Sequence, residues 1–585
     1  MTRVRRRVLH WSQPGYALGL ALLVAAPLLG PGYLLLRDAV STPRSYLSDA
    51  ALGLSESAPR ATPQDFAVAL ASHLVDGGVV VKALLVLGLW LAGWGAARLV
   101  EMVLPEAGMG GQFIAITVAM WNPYVAERLL QGHWSLLVGY GCLPWAATTM
   151  LSLRSAGGPG WRGFFGLAFW IAAAGLTPTG LMLAAMVALV CALTPGAGLP
   201  RWLCVTATLA GAVVAALPWL TASALGSYSA IKAWTQGPAV AAFAARAEPG
   251  LGTFGSLASM GGIWNAEAVP GSRTTLFGVV AAAVLLSVVA AGLPVLVRRA
   301  TAIPLLVLAA VSILLPGVLS TAPGLKLLRA MIDTAPGLAV VRDGQKWVAL
   351  AMPAYALAGA AAVVTLRRWL RPAVTALVCS LALIVTLPDL AWGVGGKLGP
   401  VHYPSGWWAV SRLINDEPGA VAVLPAGSMR RFPWSGSAPV LDPLPRWVRA
   451  DVLTTGDLAV SGMTVPGEGA RARAVQQLLL AGPAPAALTR AGVTWLVVES
   501  RTAGDMGAAA RTLSGLPTAY HDADLTLYRL GGYSASASAD RRLAAVGAHL
   551  AWLAMLTAGA IGMAVTGWRR HLTHGDDTPK RLAVD

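Results

Sequence analysis

Charge is scarce in this chain. Lysine plus arginine number 43 and aspartate plus glutamate 27, so 12% of the 585 residues are charged, against about 25% in soluble globular domains. That excludes a disordered protein, a coiled coil and an ordinary soluble enzyme. Cysteine is rarer still. The four present, Cys142, Cys191, Cys204 and Cys379, lie inside apolar runs without metal-ligand spacing, so neither a disulfide framework nor a zinc site is encoded. There is no C-x-x-C, no H-E-x-x-H and no Walker-type glycine loop. Lysine occurs only at Lys82, Lys232, Lys326, Lys346, Lys397 and Lys580.

What the chain has is apolar length. Hydrophobic residues make up 56% of it, and runs near 20 residues, each enough to cross a bilayer, recur from Tyr16 to Trp568. About 12 spans are expected, at 16–36, 78–99, 110–121, 134–151, 162–176, 178–195, 202–223, 275–297, 302–320, 347–366, 373–392 and 543–567; the run 110–121 is short. The first run is too long for a cleaved leader and reads as a retained span. The net charge of +16 sits at the ends of these runs, which is the positive-inside pattern and not a nucleic-acid surface. With the N-terminus in the cytoplasm, alternation puts Arg154, Arg162, Arg201, Arg298, Arg299, Arg367, Arg368, Arg371, Arg569 and Arg570 inside, and Arg541 and Arg542 outside. The expectation is a multi-pass plasma-membrane protein with both termini cytoplasmic.

Three regions follow: an all-α transmembrane core over 1–392 with about 11 helices, an extracytoplasmic α/β domain over 393–542, and a final span with a cytoplasmic tail over 543–585. The middle block mixes expected strands (Ala420–Leu424, Trp495–Glu499, Leu525–Leu530) with expected helices (Trp407–Asn415, Gly469–Leu480, Ala508–Leu513).

Ionisable groups beside a membrane need partners or work to do. Four clusters fall on the expected outer face. Asp38, just after the first span, suits a general base; the alternatives are a solvated residue or a pair with Arg37, and Asp49, Glu56 and Asp65 share its loop. The second cluster runs from Trp121 to Trp134. Its Asn122-Pro123 pair breaks the preceding helix. A helix from Tyr124 gathers Glu127, Arg128, Gln131 and His133; Arg128 suits a phosphate, unless Glu127 neutralises it. The third is Arg342-Asp343-Gly344-Gln345-Lys346, whose two cations share a helical face and suit a lipid phosphate, unless Asp343 takes one of them. The fourth is the glycine-rich loop from Arg246 to Arg273 with Trp264, either a substrate cover or a connector. Tryptophans of the α/β block suit sugar stacking or its core.

A carboxylate after span one, an Asn122-Pro123-Tyr124-Val125 segment running through Arg128-Leu129-Leu130 to Gly132 and Trp134, and an Arg342-Asp343…Lys346 segment occur in that order. This resembles the actinobacterial GT-C glycosyltransferases, and among them the membrane core of the arabinofuranosyltransferase D type, over roughly residues 15–392. The resemblance implies a GT-C-like membrane fold and transfer of arabinofuranose or mannose from a polyprenyl-phosphate donor to a cell-envelope glycan or glycolipid. Asp38 matches the carboxylate that deprotonates the acceptor. Arg128, Arg342 and Lys346 fall where phosphate-contacting cations are expected. Asn122, Tyr124, Glu127, Gln131, His133, Asp343 and Trp264 are candidates for the substrate cavity. One base without a protein nucleophile implies inversion, by analogy with hydrolases. No metal ligands are assigned and no cofactor is required, although a divalent metal remains compatible; Asp38 is followed by Ala39 where many relatives carry a second acid. The rival readings are a non-catalytic scaffold of the same fold and a lipid or polysaccharide transporter.

Overall fold

A computed structural model describes residues 3–56, 61–226, 237–460, 463–533 and 536–574. The expected cytoplasmic tail beyond 574 lies outside them. Seven described helices are long and apolar enough to cross a membrane, or nine if two sharply bent pairs each count as one span. The expected twelve are not reached. Every expected segment is helical over most of its length, but Gly108–Met120, Gly163–Ala174 and Pro178–Ala192 have only 13, 12 and 15 residues, short of a full crossing. Ile303–Leu319 turns by 95° into Ala322–Thr334, and Pro372–Val385 by 74° into Pro388–Gly395. Proline opens the second member of each pair, or follows its first residue, where it cannot extend the helix before it.

The helices pack on one continuous apolar core. Small residues let backbones approach: a Cβ on Gly141 would lie 2.2 Å from the carbonyl oxygen of Gly88, and one on Gly292 would lie 1.8 Å from that of Ala358.

The end of the first expected span is a correction. The helix Arg3–Ala25 and a following 3-10 turn stop at Gly30-Pro31-Gly32. Tyr33–Leu36 is then strand β1, which turns at Arg37-Asp38 into β2, Ala39–Val40. Three apolar leucines in a row carry the same hydropathy in a strand as in a helix, and the Gly-Pro-Gly break decides between them. β1 also pairs with β3, Pro400–Val401, far along the chain.

The C-terminal α/β region holds β4 (Ala420–Leu424), the short pair β5 (Met429–Arg430) and β6 (Val440–Leu441), a second hairpin β7 (Leu458–Val460) and β8 (Met463–Val465), and then β9 (Val493–Glu499), β10 (Thr518–His521) and β11 (Leu525–Arg529). The main sheet runs β10-β11-β9-β4, with β4 and β9 parallel and the other pairs antiparallel. The three expected strands and three expected helices are present, with ends moved by up to two residues. Trp407, Trp447 and Trp495 are buried with Tyr403 and Phe432 in this region's core, while Trp408 is exposed.

Candidate active-site cavity

A cavity of about 1400 Å³ lies where the helical core meets the C-terminal α/β region. Its wall includes Asp38, Gln131, His133, Trp264, Arg342, Asp343 and Lys346 from the core, and Ser428, Arg431, Asp457 and Gly504 from the α/β region.

Asp38 stands at the tip of the two-residue turn between β1 and β2. Such turns need a positive φ, and Arg37 takes it at 48°. The turn is held from both sides. Its Arg37 N–H donates to Pro439 O at 3.1 Å, and Leu441 N–H to Arg37 O at 2.9 Å; Asp38 N–H donates to Gln131 O at 3.2 Å. The Arg37 guanidinium does not pair with Asp38. It donates to Leu130 O at 2.6 Å and Glu267 O at 2.9 Å. Gly132 lies under the turn at φ 84°, where an added Cβ would be 2.3 Å from Ala39 N. Only glycine meets both conditions.

The second cluster folds as expected up to a point. The helix before it stops at Met120, and a nine-residue helix, Pro123–Gln131, follows. Asn122 caps it by accepting from Val125 N–H, and donates its own amide to Val118 O and Ala119 O, tying the two helices together. Gly132 closes the helix in a left-handed turn, which brings His133 and Gln131 to face Asp38. His133 Nε2 lies 2.9 Å and Gln131 Nε2 3.1 Å from the same oxygen, Asp38 Oδ2. Asn265 fixes the Gln131 amide by donating to its Oε1 at 2.8 Å. No described residue bonds Asp38 Oδ1, and the side chain is 37% exposed. Burial pushes the carboxyl up, but the His133 and Gln131 hydrogen bonds and the Lys346 charge outweigh it and hold it below its usual range. Asp38 is therefore an anion with one oxygen anchored and the other open. The other acids of its loop are engaged elsewhere: Asp49 with Arg542, Asp65 with Arg446, and Glu56 with the Arg471 N–H.

Arg128 is a correction. It does not line the cavity. Its side chain is wholly buried and forks onto Asp343 at 3.0 and 3.1 Å, with a further bond to Gln345. Burial pushes the Asp343 carboxyl up, but Arg128 and Lys346 more than reverse that and hold it well below the carboxylate range. Asn122, Tyr124 and Glu127 are likewise behind the wall. Tyr124 donates to Lys346 O, and Glu127 accepts from Gly262 and Ile263 N–H and from Gln345. These four residues build the site without facing it.

Lys346 and Arg342 do face it. Lys346 Nζ is 3.5 Å from Asp343 Oδ2. One carboxylate here, Asp343, answers two cations, Lys346 at the cavity and Arg128 behind it. The segment carrying Lys346, Gly344–Ala351, is a 3-10 stretch rather than the expected α-helix. Arg342 lies 4.3 Å above the Phe243 ring, and Phe243 packs edge-on against Trp264 at 4.6 Å. Asn265 belongs to the glycine-rich fourth cluster, whereas Phe243 escaped sequence reading: it belongs to no motif and comes from a loop whose path the sequence does not fix. Among the described residues no group of three or more His, Cys, Asp or Glu side chains sits as metal ligands would, and Asp38 and His133 bond each other.

These elements define a class: a multi-pass helical membrane protein with a cavity between its core and a small α/β region. The same fold is found in a solved enzyme, arabinofuranosyltransferase AftD from Mycobacteria, at a TM-score of 0.59 and 18% identity over 91% of this chain. A structure of a mutant of that enzyme matches at 0.50 and 17% over 90%. The match thus extends beyond the expected 15–392 into the C-terminal region. The chain spans 40% and 42% of the lengths of those two proteins. No protein-family model and no curated protein matches the sequence.

Proposed function

We propose that this chain is a membrane glycosyltransferase of the GT-C type, moving arabinofuranose or mannose from a polyprenyl phosphate to a cell-envelope glycan or glycolipid. One observation carries the reading: an ionised carboxylate with a free oxygen and two cations, Arg342 and Lys346, line one cavity. The AftD likeness in fold supports it.

The chemistry follows from these groups. Asp38 Oδ1 takes the proton of an acceptor hydroxyl as that oxygen bonds to the anomeric carbon. The bond from that carbon to the phosphate oxygen breaks, and the charge gathering on the departing phosphate falls to Lys346 and Arg342. Attack opposite the leaving group inverts the anomeric centre, as in single-displacement hydrolases. Arg128 acts at one remove, holding Asp343 and hence Lys346.

Orientation supports a lipid-linked donor. The Trp134–Arg154 helix starts at the cavity and finishes at Arg154, and the chain from Lys346 runs to Leu366 just before Arg367 and Arg368. The basic ends are the cytoplasmic ones by the positive-inside rule, so the cavity opens on the other face, with residues 393–542. Removing the Lys346 or Arg342 charge should raise the donor KM before it lowers kcat, and Asp38→Asn should abolish transfer while donor binding persists. Full turnover by Asp38→Asn would sink the base assignment.

A further inference from the structure

Asp38 owes its fixed direction to His133, and the ring nitrogens of His133 are not equivalent. Arg128 Nη1 lies 3.1 Å from His133 Nδ1. A guanidinium has only donors, so Nδ1 must accept and carries no proton. The ring proton then sits on Nε2, which is 2.9 Å from Asp38 Oδ2 and donates to it. Arg128 is itself fixed by its fork onto Asp343, so the imidazole cannot exchange its two roles without breaking that pair.

We propose that His133 is a positioning residue held by Arg128 as a neutral Nε2–H imidazole, which aims the Asp38 carboxylate at the acceptor and takes no proton during transfer. Both nitrogens are occupied, one by a proton and one by Arg128, so the proton Asp38 removes has no onward path through this ring. The charged groups facing His133 are Asp38, Arg128, Lys346 and Asp343. Burial, Lys346 and Arg128 disfavour imidazolium more than Asp38 favours it, and the ring's pKa lies below the ordinary histidine value. The proposal rests on Asp38 as the base of the reading above.

Two measurements test it. Nitrogen-15 histidine spectra of the full chain in nanodiscs, with the His133 signal found by its loss in His133→Gln, should show a neutral Nε2–H ring between about pH 6 and 8. An Nδ1–H ring, or imidazolium at the upper end of that range, overturns the proposal. The second is the pH profile of transfer. His133→Gln keeps an N–H donor and should retain kcat within a few-fold, whereas His133→Ala should lose about tenfold or more with donor KM unchanged. The acid limb of His133→Ala should move to higher pH, since a carboxylate that loses a hydrogen bond is easier to protonate. Equal loss in both variants with no movement of the limb would show His133 to be a proton carrier or only a packing group. If the wild type transfers nothing, the glycosyltransferase reading fails, and the spectra still decide the tautomer.

Discussion

Replacing Arg128 by methionine keeps an unbranched side chain close to the length of the arginine's aliphatic stem and removes the charged guanidinium. In the native protein Arg128 is wholly buried and holds the 6%-exposed Asp343 side chain through two bonds of 3.0 and 3.1 Å. Lys346, at 3.5 Å and 26% exposed, is the remaining cation on that carboxylate. Breaking a buried pair by removing one partner costs about 3–5 kcal/mol; Lys346 can turn further onto Asp343, so the lower end is expected. The assay is thermal unfolding in detergent by tryptophan fluorescence, with denaturant curves where unfolding is reversible. Arg128→Met should be strongly destabilised, and Arg128→Met combined with Asp343→Asn should recover much of the loss, because no buried charge is left alone. Arg128→Met should also weaken turnover in excess of its stability effect, since it frees the His133 ring. A variant as stable as wild type, or a double variant worse than the sum of the singles, would refute the account of Arg128 as a structural strut.

Other outcomes follow from the same geometry. Gly132→Ala places a Cβ at positive φ against the Asp38 turn; it should destabilise by about 1–3 kcal/mol and lower kcat more than donor KM, read by transfer assays on folded protein. In the α/β region Arg430 serves two buried acids, Glu499 and Asp442. Burial and Asp442 push the Glu499 carboxyl up to about 8, with Arg430 opposing. The folded state then binds more protons than the unfolded one between the usual glutamate range and that value, so stability should fall as pH rises through this window. Glu499→Gln should flatten that slope in denaturant curves taken across it; an unchanged slope would place the titration elsewhere.

Much of this was legible in the sequence, for reasons that differ by residue. The helix break at Asn122-Pro123 is a local rule and holds as read. Asp38, Gln131, His133, Asp343, Arg342, Lys346 and Trp264 all reach one cavity although they lie up to about 300 residues apart in sequence, because the motifs cluster at one end of the expected spans. What failed was depth. Position along a helix says which residues share a face, but not whether that face meets the cavity or a neighbouring segment. Arg128 meets Asp343, neither the expected phosphate site nor the alternative partner Glu127, and Glu127 meets the 262–263 backbone. The strand at Tyr33–Leu36 failed for a different reason. The Gly30-Pro31-Gly32 break marks the helix end locally, but the strand's partners, Pro400–Val401, and the Pro439 and Leu441 contacts that hold its turn are too distant in sequence for a local pattern to carry. The count of spans failed because short helices such as Gly163–Ala174 look like full spans when flanking apolar turns are counted with them.

The central claim is that Asp38 and the Arg342–Lys346 cations form one transfer site. The direct test gives purified wild-type protein and Asp38→Asn in nanodiscs polyprenyl-phosphate arabinose or polyprenyl-phosphate mannose, with a cell-wall glycan extract as acceptor. The account predicts that wild type alone releases free polyprenyl phosphate and extends the glycan with one of the two sugars, while both proteins bind that donor alike. Donor binding without release in either protein would contradict it and point to a scaffold or carrier of the same fold.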